Sequence, residues 1–141
     1  MSRQPFTMLF VDDEPPVRDF FNSIWLPRIQ NSFLVNATIA KDANEVDRLL
    51  SDGHRFDLIV CDYHMPGKNG LEVFKGMISI YPNIAFVLFT GFIKDQRVLW
   101  HESEMKPENL YLCIDKNWSL LKEMVLTILT DLYDRGQSQS Y

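Results

Sequence analysis

Phe56-Asp-Leu-Ile-Val-Cys-Asp-Tyr-His-Met-Pro-Gly-Lys-Asn-Gly70 is the stretch whose reading decides the fold. Its first part, Phe56–Cys61, is a short run, apolar but for Asp57, with the length of a strand rather than of a helix. A carboxylate, Asp62, follows at once, and then Met65-Pro66-Gly67 and Gly70, a combination that stops a strand and turns the chain. A strand without apolar–polar alternation is covered on both faces, the condition of a parallel sheet. Four further runs of this kind recur at Phe6–Val11, Phe33–Ala40, Ile84–Phe89 and Leu110–Ile114.

The segments between the runs carry helical spacing. Val17, Phe20, Phe21, Ile24 and Trp25 line one side of a first helix, with Pro15 and Pro16 at its start, where a missing N–H costs little. Pro27 is expected to end it, because the residue before a proline is pushed out of the α region. A second helix is read over 42–51 and a third after Gly70, and a fourth, over 94–102, carries the weakest pattern. A fifth bears the stripe Trp118, Leu121, Val125, Ile128, Leu129 and Leu132. Strands alternating with helices make an α/β, doubly wound five-stranded parallel sheet in a flavodoxin-like three-layer sandwich. The whole is read as one domain over 1–134, with 135–141 a disordered tail.

Composition narrows the function. The 141 residues carry a net charge of −5, which disfavours direct nucleic-acid binding, a task for clustered Lys and Arg. No apolar run is long enough for a membrane span, and Phe6–Val11 runs too soon into Asp12 to be a signal peptide, so a cytoplasmic location is expected. The two cysteines, Cys61 and Cys113, lie in apolar runs and read as free buried thiols, without zinc spacing. No Gly-rich phosphate loop follows the first strand, which disfavours a nucleotide site.

In sheets of this class a site lies beyond the carboxyl ends of the strands. The first strand delivers Asp12 and Asp13, the third Asp62, the fourth Thr90 and the fifth Lys116. Carboxylates gathered together repel one another, and a hard divalent ion with oxygen ligands, Mg2+ or Mn2+, relieves the repulsion. Taken singly, each residue has a plainer reading. Asp12 and Asp13 could cap a helix, Asp62 could close a turn, Thr90 could be a β-branched strand residue, and Lys116 could pair with Asp115.

The motifs Leu9-Phe-Val-Asp-Asp-Glu14, Phe56 to Gly70, Val87-Leu-Phe-Thr-Gly91 and Ile114-Asp-Lys116 occur in this order, each at a strand end. On them the chain resembles the receiver domain of bacterial two-component response regulators, chemotaxis regulators among them, over essentially its folded length. The resemblance implies the sheet order 2-1-3-4-5, with Asp62 as phosphoacceptor and Thr90 and Lys116 contacting the phosphoryl group. It implies Mg2+ held by Asp13, by Asp12 largely through water, by Asp62 and by the backbone carbonyl of His64. Met65, Pro66, Gly67 and Gly70 would shape the loop beneath, the two glycines by allowing positive φ. The implied partners are a histidine kinase or histidine phosphotransfer protein, and a downstream protein at the face of the fourth helix, fifth strand and fifth helix. A phosphorylation-dependent homodimer stays open.

The chain departs from the family pattern at the usual aromatic three residues before the lysine, where Cys113 stands, with Tyr111 two residues earlier. Asn117 replaces the proline that usually follows the lysine, and the polar stretch Ser103-Glu-Met-Lys-Pro-Glu-Asn109 lengthens the segment after Thr90. These departures leave a degenerate, phosphorylation-independent receiver as the alternative. An aspartyl-phosphate phosphohydrolase is disfavoured, because His64 stands where such enzymes carry a second carboxylate. The chain is thus expected to be no enzyme in the sense of turning over a separate substrate.

Overall fold

In the computed structural model, which describes residues 4–91, 109–113 and 115–139, each apolar run is a strand. β1 is Phe6–Val11, β2 Val35–Ala40, β3 Leu58–Cys61, β4 Ala85–Phe89 and β5 Leu110–Cys113. All neighbours pair in parallel, in the order β2-β1-β3-β4-β5. Successive side chains of a strand point to opposite faces, and two cores result. Met8, Phe10, Leu58, Val60, Val87, Phe89 and Cys113 face one side, and Leu9, Val11, Ile59, Cys61, Phe86, Leu88 and Leu110 the other. Asp57, the polar residue inside the third run, precedes the strand proper and accepts hydrogen bonds from the Thr7 backbone N–H (2.9 Å) and hydroxyl (3.3 Å). It fixes the entry of β3 beside β1.

The first helix does not stop at Pro27. α1 (Pro15–Phe20), a π-helical turn (Phe21–Trp25) and α2 (Leu26–Gln30) run head to tail. A proline inside an α-helix clashes with the carbonyl four residues back and lacks the N–H to satisfy it. The widened turn just ahead of Pro27, in which the Leu26 N–H bonds to the Phe21 carbonyl, loosens that stretch and lets the helix continue. Phe21, Trp25, Leu26 and Ile29 are thereby buried against the sheet.

α3 (Ala43–Ser51) starts at Asp42, whose carboxylate accepts from the Glu45 N–H. α4 (Gly70–Ile78) starts with a capping box between Asn69 and Glu72. α5 (Trp118–Gln139) packs Leu121, Val125, Ile128 and Leu129 beside α2, while α3 and α4 cover the opposite face. α5 continues past residue 134, so that 135–139, read from sequence as tail, are the helix's last turns. Arg135, ion-paired to Asp131 one turn back (2.8 Å), supports that extension despite Gly136. Counting the π-containing helix once, four helices are described, and the helix expected over 94–102 lies outside the described residues.

Gly70 owes its place to space rather than to positive φ, which among the loop's two glycines only Gly67 has, at 76°. A Cβ on Gly70 would press into the Asp62 carbonyl oxygen and lie 2.8 Å from Leu88 Cδ2. Gly76, on the same helix, has open space where its Cβ would be. Gly70→Ala is therefore expected to destabilise the fold by about 1–3 kcal/mol in chemical denaturation. Gly76→Ala should stabilise it by about 0.5–1 kcal/mol.

Candidate functional site

The sheet ladder extends one residue beyond the strands and sets the polar residues side by side. The Asp12 N–H bonds to Ala40 O (3.2 Å) and the Asp62 N–H to Val11 O (2.9 Å). Thr90 N–H reaches Cys113 O (3.1 Å) and Lys116 N–H reaches Thr90 O (3.0 Å). Asp12, Asp13 and Asp62 consequently present carboxylate oxygens within 4.8 Å of one another. Lys116 Nζ stands 2.8 Å from Asp12 Oδ2 and 3.8 Å from Asp62 Oδ2. All five residues singled out for strand-end chemistry thus fall at one end of the sheet.

Burial makes this cluster electrostatically tense. Asp12 and Thr90 are 0% exposed and Asp62 is 4% exposed. Loss of water pushes the Asp62 carboxyl up to about 6, and the neighbouring Asp12 charge pushes the same way against Lys116 and a backbone hydrogen bond from His64. Asp12 is raised by burial too, opposed by its hydrogen bonds to Lys116 and the Glu14 backbone. Burial pulls Lys116 down, but its hydrogen bond to Asp12 and the Asp62 charge outweigh this and hold it above its usual range. The Thr90 hydroxyl is buried and, among the described residues, without a hydrogen-bond partner.

Three oxygen donors of like charge facing a single ammonium, with a hydroxyl left unpaired, suit a hard divalent cation and an oxyanion together. Asp12, Asp13 and Asp62 could hold the cation. The loop after Asp62 supports this end of the sheet: Met65 packs on the α3–α4 side, Pro66 is exposed, and Gly67 takes the left-handed conformation. The exposed His64 ring stands edge-on to Tyr63 at 4.9 Å.

The sequence reading missed Arg18, whose Nη1 donates to the Asp12 carbonyl (2.9 Å) and ties the acidic turn to α1. Its signal, a cation one turn inside the helix after an acidic strand end, is too common to stand out. Trp25 and Trp118 lie in or against the core, as their spacing indicates. Tyr111 packs on the same side of the sheet as Cys113, as alternation requires. Phe92, Trp100, His101 and the stretch 103–108 lie outside the described residues.

Asp62 gives the site a pH signature. Its folded value of about 6 exceeds the ordinary 3.8, so between these values the native state keeps a proton that the unfolded chain releases. This contribution to stability is full below the lower value and is lost as pH rises through the upper. Asp62→Asn, which carries no charge, should raise the stability of the metal-free protein near pH 7 by about 1–3 kcal/mol, with the difference vanishing towards about pH 4. Thermal denaturation in EDTA across that range checks it.

Comparison with known proteins agrees with this geometry. The model of the response regulator receiver domain matches residues 8–103. Protein PetR of Rhodobacter capsulatus is 40% identical over 77 residues, 55% of this chain and 30% of PetR. The chain spans less than a third of the length of the curated relatives it matches. Among solved structures, the signal receiver domain of an HD domain-containing protein from Pseudomonas fluorescens has a TM-score of 0.72 at 20% identity, covering 96% of this chain and 99% of its own. The response regulator TrrA of Thermotoga maritima, in complex with Mg2+ and beryllofluoride, has a TM-score of 0.68 at 22% identity, covering 87% and 98%. These structures share the doubly wound fold, and the family match over most of the chain goes further: the chain belongs to the response regulator receiver domain family, the phosphoacceptor modules of two-component signalling.

Proposed function

We infer that this domain is a phosphorylation-dependent switch in which Asp62 takes a phosphoryl group from the phosphohistidine of a histidine kinase or phosphotransfer protein. The observation that carries the reading is the buried cluster of Asp12, Asp13 and Asp62 with Lys116 set across it. An Asp62 Oδ forms a bond to phosphorus as the donor's N–P bond breaks, and the bonding pair returns to the imidazole, which takes up a proton. Bound Mg2+ would supply the positive charge that lets the carboxylates stay ionised beside the incoming phosphoryl oxygens.

The remaining steps belong to the chain's own residues. Lys116, already between Asp12 and Asp62, needs only a short swing of its ammonium to meet a phosphoryl oxygen on Asp62. Thr90 can donate its unused hydroxyl to another, an interaction favoured by the lack of a competing partner among the described residues. The acyl phosphate ends when water attacks phosphorus and Asp62 leaves as a carboxylate. The output surface is read at β5 and α5, where Tyr111, Leu120 and Met124 line an open groove. Among the described residues no helix is long and apolar enough to cross a membrane.

Cys113, fully buried where the family usually has an aromatic ring, favours one rival: a receiver that binds partners without phosphorylation. Intact-protein mass after incubation with acetyl phosphate and Mg2+ separates the two. The expected result is one phosphoryl adduct, absent in Asp62→Asn and in EDTA. An unchanged mass for the wild-type protein, also after incubation with a phosphorylated donor protein, would favour the rival.

A further inference from the structure

Two of the departures from the family pattern, Cys113 and Asn117, meet each other in space. The Cys113 thiol donates to the Asn117 carbonyl at 3.6 Å. The same carbonyl accepts the Leu121 N–H at 2.9 Å, and the Asn117 side chain accepts the Leu120 N–H at 3.0 Å. Asn117 is therefore the N-cap of α5, fastened from below by a buried side chain of β5.

At Asp115 and Lys116 the chain makes a left-handed turn. Both have positive φ, 62° and 43°, a conformation that non-glycine residues seldom adopt. The turn is clamped on one side by Lys116 N–H on Thr90 O (3.0 Å) and on the other by the fastened Asn117. It sets the Lys116 ammonium 2.8 Å from Asp12 and 3.8 Å from Asp62. A thiol held at about 11 keeps its proton at neutral pH and remains a donor.

We propose that Asn117 and Cys113 are positioning residues for Lys116, the N-cap and the thiol together holding the left-handed turn that aims its ammonium at the phosphoryl site. The inference rests on Asp62 being the phosphoacceptor. It separates from a role in stability alone because Lys116 serves the phosphoryl group and not the cation. Indeed Lys116 competes with a cation for Asp12. Loosening it weakens phosphoryl binding while leaving Mg2+ binding equal or tighter.

The test is the affinity for beryllofluoride, a phosphoryl mimic, at saturating Mg2+, set beside the affinity for Mg2+ alone, both followed by tryptophan fluorescence. Asn117→Ala should weaken beryllofluoride binding about three- to tenfold, and Asn117→Ser, which can still cap, should restore most of it. Cys113→Ala should weaken it about two- to threefold and Cys113→Ser should not. Equal beryllofluoride affinity in Asn117→Ala and wild type would overturn the proposal, as would a parallel loss of Mg2+ affinity. A full effect at Asn117 with none in Cys113→Ala would overturn the thiol's part. If the wild-type protein binds no beryllofluoride, the phosphoacceptor reading falls and this inference with it; wild-type binding with unaffected variants removes this inference alone.

Discussion

Two carboxylates, Asp12 and Asp62, are kept out of water within reach of each other, and the rest of the molecule is arranged around that repulsion. Neither can be moved away, because each is the residue directly after a central strand and is hydrogen-bonded into the ladder by its own N–H. One lysine partly offsets the charge. The cluster therefore favours whatever adds positive charge to it: a proton, or a divalent cation.

The frame that holds this tension is rigid for reasons visible in its packing. On one face of the sheet, Phe10 stacks on Phe21 with ring centroids 4.1 Å apart, and Phe89 meets Trp118 edge-on at 4.8 Å. Phe89 immediately precedes Thr90, and Trp118 stands two residues after Lys116. The Trp25 indole N–H donates to the Trp118 carbonyl at 3.1 Å. Thr90 and Lys116 are thus anchored through neighbouring aromatic rings to the first helix, on the same face of the sheet.

Strand positions, and the residues that the strands bring together at the candidate site, were legible in the sequence because both rest on local rules. An unbroken apolar run reads as a doubly covered strand, and a polar residue at its end falls at the sheet's carboxyl edge. Asp12, Asp13, Asp62, Thr90 and Lys116 could be named in this way. What escaped depends on tertiary compensation. Pro27 reads as a helix stop, and only a π turn ahead of it shows otherwise. Gly70 reads as a residue for unusual φ, whereas its lack of a Cβ serves the close approach of the Asp62 carbonyl. Arg18 was invisible because a single hydrogen bond to a main-chain oxygen leaves no pattern.

The π turn has a consequence for how the first helix can be altered. An α-helix advances about 100° around its axis per residue, and a π turn absorbs one residue more than an α turn does. The segment Phe21–Trp25 therefore acts as a phase shifter between two apolar stripes, Val17 and Phe20 before it and Leu26 and Ile29 after it. Both stripes meet the sheet only with that extra residue in place. Insertions and deletions are tolerated in this fold's loops, but at this point in a helix a change of one residue is a rotation of everything beyond it.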